Sequence, residues 1–367
     1  MIGGPMSRAP GIGTVFRVIE SNRPGRKNLL VVITALATMA GPSPAAPGAV
    51  RLTPPPGIAA WLADDRHLPD PLQAEPVAVQ SFLAAVSAAG QRELVTRYPG
   101  VIGTLDGAAP SLRYLANHQG MRAAGPPYQD QEGQILLFDP RGNGRVAQVF
   151  GDLSTADRIA VLVPGVATRA DNFWTGVGGK RHRAPAVQAA DLYEAAGRQG
   201  RFAVIAWLGY DTPAGVSISA AREDSARAGA VALKRFIAGL ATIRPEATIA
   251  LLGHSYGSTV IGLAARDLPG QVTDIAVFGS PGMGVDNVIR LRTTARVWAG
   301  QSTEDWIRWV PGVRLFGLGH GTKPTAPAFG ARVFGTSDVA DHDHYLSPGT
   351  DSLANLTSIA LTGTARP

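Results

Sequence analysis

Apolar positions change their spacing once along this chain, and the change divides it into two kinds of structure. From residue 57 to about 130 they recur at helical intervals: Val79, Phe82, Leu83 and Val86 within Val77–Ala89, then Leu94 and Val95 within Gln91–Tyr98. Ser111–Gln119 is a third candidate helix, and Gly90, Pro99-Gly100 and Gly125-Pro126-Pro127 punctuate the series. Next come two short strand-like runs, Gln134–Phe138 and Val146–Phe150, joined by the turn-rich Asp139–Gly144 stretch as an antiparallel hairpin.

Strands and helices alternate from there. Buried strands are predicted at Arg158–Val163, Phe202–Trp207, Thr248–Leu252, Ile275–Phe278, Arg296–Ala299 and Ala331–Phe334, with helices at Val187–Ala196, Ala220–Leu240, Ser258–Leu268 and Asp351–Leu361. Such alternation implies an α/β fold: a mostly parallel sheet with helices on both faces, over 131–367, preceded by a small helical segment at 57–130. That segment either covers the sheet edge or forms a lid. Chemistry in such a sheet gathers at the carboxyl ends of its strands.

With 367 residues, 45% of them hydrophobic, the chain can bury a full-size core. The net charge of +6 suggests a nucleic-acid binder until it is located. Residues 1–45 hold Arg8, Arg17, Arg23, Arg26 and Lys27 against Glu20, and the rest of the chain has no Lys/Arg run longer than Lys180-Arg181-His182-Arg183. No basic stripe supports nucleic-acid binding. Cysteine is absent, which excludes a thiol nucleophile, disulfides and thiolate metal sites.

Arg23-Pro24-Gly25-Arg26-Lys27, the apolar Leu29–Met39 stretch and Gly41-Pro42-Ser43-Pro44-Ala45-Ala46 follow the order of a signal peptide, 1–45, cut after Ala45. The apolar stretch is short for a membrane span, so a secreted or cell-envelope protein without a stable span is expected. The long lead-in points to a later start codon, Met6 or beyond, and a misassigned start would leave the protein cytoplasmic. A Pro-rich linker, 46–56, follows and is expected to be extended rather than packed.

The candidate chemistry centres on Gly253-His254-Ser255-Tyr256-Gly257, set between a strand and a small-residue helix. That is the context of a nucleophile elbow, where a strained backbone lifts a serine hydroxyl above the sheet. The hydroxyl needs an imidazole to take its proton and a carboxylate to orient the imidazole, in the chain order serine, acid, histidine. His342 and His344, in Asp341-His342-Asp343-His344-Tyr345, lie in the loop where the base belongs; His320 reads as a pocket-wall or structural residue. Asp305 is the acid, with Glu304 its immediate rival and Asp286 the alternative. The oxyanion hole falls to the backbone amides of Tyr256 and of Val166, in the turn after the first central strand. Of the aromatics near strand ends, Trp174, Trp207, Tyr210, Tyr256, Trp298 and Trp306, about half serve the core and the rest an apolar acyl or alkyl pocket.

The elbow, Val163-Pro164-Gly165, Trp207-Leu208-Gly209-Tyr210-Asp211, Gly279-Ser280-Pro281-Gly282 and the closing His342–Pro348 segment together resemble an actinobacterial α/β-hydrolase family of uncharacterised function, over about Tyr98–Leu361. The resemblance implies a serine hydrolase fold. It also implies His342 as the base, three residues before Tyr345 and followed by Pro348-Gly349, and it places an aspartate at Asp305. His344 departs from the family pattern and stays the alternative base.

The expected protein is a serine hydrolase of carboxylic esters that needs no metal or organic cofactor. Its partner is a small-molecule ester or acyl substrate. Amide or thioester cleavage by the same residues, or a non-catalytic binding module on the same fold, are the alternatives.

Overall fold

A computed structural model of the protein describes residues 53–215, 223–310, 312 and 319–367. The segment expected to be a signal peptide and most of the Pro-rich linker lie outside the described residues. The last linker residues are packed: Pro55 is buried, and the Pro54 carbonyl accepts a 2.6 Å hydrogen bond from Arg141. This differs from the extended linker end expected from composition. A run of prolines lays apolar rings against the fold at little entropic cost.

All eight predicted strands form one sheet: β1 (Gln134–Asp139), β2 (Arg145–Phe150), β3 (Arg158–Val163), β4 (Phe202–Leu208), β5 (Thr248–His254), β6 (Val272–Phe278), β7 (Arg296–Gly300) and β8 (Arg332–Val333). Their spatial order is β1-β2-β4-β3-β5-β6-β7-β8. β2 runs antiparallel to β1 and β4, and the other neighbours are parallel. β8 keeps two of its four expected residues, as befits a short edge strand.

Side chains alternate across this sheet. Ile159, Val161 and Val163 of β3 enter one core with the long helix α7 (Asp224–Ile243) and the elbow helix α8 (Gly257–Ala264). Ala160 and Leu162 enter the opposite core with α6 (Pro185–Ala195) and α9 (Asp351–Thr362). Both faces are thereby covered, which is why the central strands read as continuous apolar runs. On α7, Ala226, Ala230, Leu233, Ile237 and Leu240 make the buried stripe.

The segment before the sheet folds as α1 (Ile58–Leu62), α2 (Pro76–Ala85), α3 (Ala88–Arg97), α4 (Pro99–Ile102) and α5 (Pro110–Ala124) around its own apolar cluster of Trp61, Leu83, Leu94, Tyr98 and Ile102. The break between α2 and α3 falls at Val86-Ser87, not at Gly90. Val86 is extended and Ser87 caps α3 by accepting from the Gly90 amide; a serine cap outweighs a glycine in setting that boundary. α5 lies along the edge strand β1, where buried Asn117 donates to the Ile135 carbonyl at 2.8 Å, and Arg235 of α7 reaches the Ala74 carbonyl. The segment covers a sheet edge, and none of its described residues lines the serine cavity.

Candidate active site

The parallel register aligns the carboxyl ends of four strands: Val163 pairs with Gly253, His254 with Phe278, and Phe278 with Gly300. The loops that leave these ends carry Val166, Ser255, Gly279 and Asp305 along one rim of the sheet. Ser255 sits at the turn with φ 52, a left-handed conformation that costs a non-glycine residue about 1–3 kcal/mol. Its amide donates to the Phe278 carbonyl at 3.0 Å, which ties the strained turn to β6. Space for the turn comes from Gly165, where a Cβ would lie 2.8 Å from the Ser255 Cβ.

Ser255 Oγ and His342 Nε2 are 2.9 Å apart, and His342 Nδ1 lies 2.9 and 3.0 Å from the two carboxylate oxygens of Asp305. A carboxylate only accepts, so Nδ1 carries the imidazole proton and Nε2 is left to accept the serine hydroxyl. Asp305 is fully buried, and its remaining lone pairs are occupied: Oδ1 accepts from the Ile307 amide at 2.8 Å and Oδ2 from the Tyr345 hydroxyl at 2.7 Å. Burial alone would raise its pKa, but these donors, His342 foremost, outweigh it and hold the carboxyl below its ordinary value. Gly279, at φ 54, forms the floor of this cluster. A Cβ there would stand 3.1 Å from Asp305 Oδ2 and 3.2 Å from His342 Cε1.

The other expected residues fall elsewhere. His344 turns away from the serine: its Nδ1 pairs with Asp341 at 2.6 Å and its ring stacks on His182 at 4.0 Å. His342 and His344, two residues apart in one loop, therefore face different partners. Glu304 and Asp286 are exposed at the surface. His320 is buried with its ring edge against Tyr256, a structural position.

Val166 lines the small cavity that holds Ser255 and His342. Its loop is held from behind: Tyr210 donates to the Pro164 carbonyl at 2.8 Å, and Thr212 donates to the Thr168 carbonyl at 2.8 Å. These bonds give the Trp207–Asp211 motif a role that its sequence does not state. Tyr256 caps α8, and its hydroxyl accepts from the Ala226 amide at the start of α7.

Two residues in the site had no expected part. Tyr345 stood in the sequence as a landmark of the closing motif, and nothing there shows that its hydroxyl reaches Asp305. His254 is buried, and its Nε2–H donates to the His342 carbonyl at 2.8 Å. Burial, and then the neighbouring His342, lower its pKa to about 4, so it is neutral at physiological pH.

The expected apolar pocket is not built from the expected aromatics. Trp207, Tyr210, Tyr256 and Trp298 are buried core residues, and Trp174 bonds Gln148 through its indole. Trp306 alone of the six packs on His342, 4.9 Å between ring centres, with 43% of its surface exposed. A larger cavity of about 350 Å³, lined by Asp106, Arg113, Arg145, Trp207 and Arg235, includes none of Ser255, His342 or Asp305. Cavity size points away from the chemistry here; side-chain geometry locates it.

Sheet order, antiparallel second strand and elbow after the fifth strand define an α/β-hydrolase fold. Residues 139–315 match a family described as alpha/beta hydrolase. An uncharacterized protein of Mycobacterium tuberculosis is 38% identical over 164 residues, covering 43% of this chain and 60% of the relative. A second from that organism is 28% identical over 257 residues, 62% of this chain and 39% of the relative. The chain thus spans less than two thirds of the length of these relatives. Among solved structures, an α/β serine hydrolase without a lid from Xanthomonas campestris aligns with TM-score 0.40 at 15% identity, over 64% of this chain and 94% of that one. A cutinase from Trichoderma reesei aligns with TM-score 0.34 at 15% identity, over 78% and 97%. No helix among the described residues is long and apolar enough to cross a membrane.

Proposed function

We propose that the protein is a serine hydrolase that cleaves carboxylic esters, with Ser255 as nucleophile, His342 as base and Asp305 as the acid that orients it. The observation that carries this reading is the unbroken chain of contacts from Ser255 Oγ through His342 to Asp305, each about 3 Å or less. His342 Nε2 takes the serine proton as Oγ bonds to the acyl carbon, then returns it to the departing alkoxide, which leaves as the alcohol. Water repeats the exchange on the acyl-serine, releasing the acid and regenerating the hydroxyl.

The negative charge that forms on the acyl oxygen falls to the amides of Tyr256 and Val166. Tyr256 stands at the N-terminus of α8, whose dipole favours an anion, and the hydrogen bonds from Tyr210 and Thr212 fix the carbonyls around Val166. Loss of one such donor typically costs about 2.7–4 kcal/mol in the barrier. The signal-peptide-like order of residues 23–46 supports a place outside the cytoplasm for this activity, and the N-terminus of the protein from its native host tests that part directly.

A fluorophosphonate probe tests the chemistry, because covalent labelling requires an activated hydroxyl. Labelling at Ser255, its loss in Ser255→Ala and His342→Ala, and its retention in His344→Ala are expected. Equal labelling of wild type and Ser255→Ala refutes the assignment, and loss in His344→Ala with retention in His342→Ala moves the base to the neighbouring loop position.

A further inference from the structure

The cavity that holds Ser255 and His342 measures about 40 Å³. At about 10–15 Å³ per water, this is room for only a few atoms beside Ser255 before the cavity opens to solvent, the scale of a short acyl group. Val166 and Val177 line part of it, and the polar side chains of the remaining wall are internally bonded. Gln188, 6% exposed, donates its amide to the His182 carbonyl at 2.9 Å. Arg183 pairs with Asp343 at 3.3 Å. Thr168 is 4% exposed, with its carbonyl held by Thr212. A wall whose polar groups already have partners resists being pushed aside, because opening it leaves them unpaired.

We propose that the site selects esters of short acyl groups, of about two or three carbons, with Arg183 and Gln188 closing the acyl pocket. This rests on the reading of Ser255 as the nucleophile. The acyl carbon must bond to Oγ while its oxygen points toward the Val166 amide, so the acyl substituent occupies the remaining volume beside Thr168, Gln188 and Arg183. Methylenes beyond that volume stay in water. In an apolar groove each added methylene that becomes buried raises kcat/KM by roughly fourfold; here chain growth brings no such gain and meets the Arg183–Asp343 pair. The leaving alcohol lies on the other flank, within reach of His342 Nε2, where the exposed Trp306 ring is packed on the imidazole.

The test is kcat/KM for 4-nitrophenyl acetate, butyrate and octanoate, measured on the full chain. The expected result is acetate at least tenfold above octanoate. Octanoate equal to or above acetate, with Ser255 still labelled by a fluorophosphonate, overturns this inference and leaves the hydrolase reading intact. No hydrolysis of any of the three, with no labelling, overturns both. Arg183→Ala is expected to raise octanoate relative to acetate by at least fivefold. Gln188→Ala, which leaves the Arg183–Asp343 pair in place, is expected to move the ratio the same way. Ratios unmoved in both folded variants remove these two residues from the pocket wall and overturn the proposal. The wild-type chain-length series stands even if neither variant folds.

Discussion

Tyr345 donates its hydroxyl proton to Asp305 across 2.7 Å, and the same oxygen accepts the Ser302 amide at 2.9 Å. The phenol joins the loop of His342 to the loop of Asp305. Burial, and then the Asp305 charge, push its own pKa up, so it remains a donor in the folded protein. Removing the hydroxyl in Tyr345→Phe is expected to cost about 1.5–3 kcal/mol of stability, the range for a hydrogen bond to a charged group. It is also expected to lower kcat by about tenfold with little change in KM, since the carboxylate loses a donor and the imidazole its fixed partner. Urea unfolding and ester kinetics check the two parts separately; a stability loss with kcat untouched would reduce Tyr345 to a packing residue.

His254 makes the stability of the fold depend on acid. It stays neutral in the folded protein down to about pH 4 but gains a proton near pH 6.5 in the unfolded chain. The unfolded state therefore binds the proton first. The stability from this residue is complete above pH 6.5 and falls away as the pH drops toward 4, about 2 kcal/mol being lost by pH 5. Burial depresses His182 too, adding a loss of the same sign. Asp305, with its depressed value, loses its contribution only at still lower pH. His254→Gln, which keeps a donor for the His342 carbonyl, is expected to flatten the loss between pH 7.5 and 5 in denaturant titrations. An unchanged pH slope would exclude His254 as its source.

Tyr210 serves the serine without touching it. Its hydroxyl holds the Pro164 carbonyl, two residues ahead of Val166, and Tyr210→Phe leaves that buried carbonyl without its donor. The expected outcome is a stability loss of about 1–3 kcal/mol. We further expect a several-fold drop in kcat at unchanged KM, because the Val166 amide matters most when charge develops on the acyl oxygen. A rise in KM alone would place Tyr210 in substrate binding instead.

Periodicity carries the sheet: the central strands β3 to β7 read as apolar runs bounded by turn residues, because buried parallel strands have polar neighbours mainly at their ends. The elbow is equally plain, since strand, serine and small-residue helix are contiguous in sequence. What the sequence hides is contact between distant loops. His342 and His344 share one loop and the neighbour Asp343, and only the tertiary path shows one facing Asp305 and the other His182. The aromatics misled for a related reason. Strand-end position puts Trp207 and Trp298 near the rim, yet helices cover both faces of the sheet, so Trp207 enters one core and Trp298 the other. The α2–α3 break failed through a local competition, in which a serine cap took precedence over the glycine three residues later.

The stretch from His342 to Tyr345 is gripped on both flanks, by Asp305 within and by the Arg183–Asp343 and His182–His344 contacts without. The proposed acyl wall and the proposed base consequently share a single mounting. On that proposal, a substrate bulky enough to displace the guanidinium pulls on Asp343 beside His342, and misfit is expected to lower turnover more than binding.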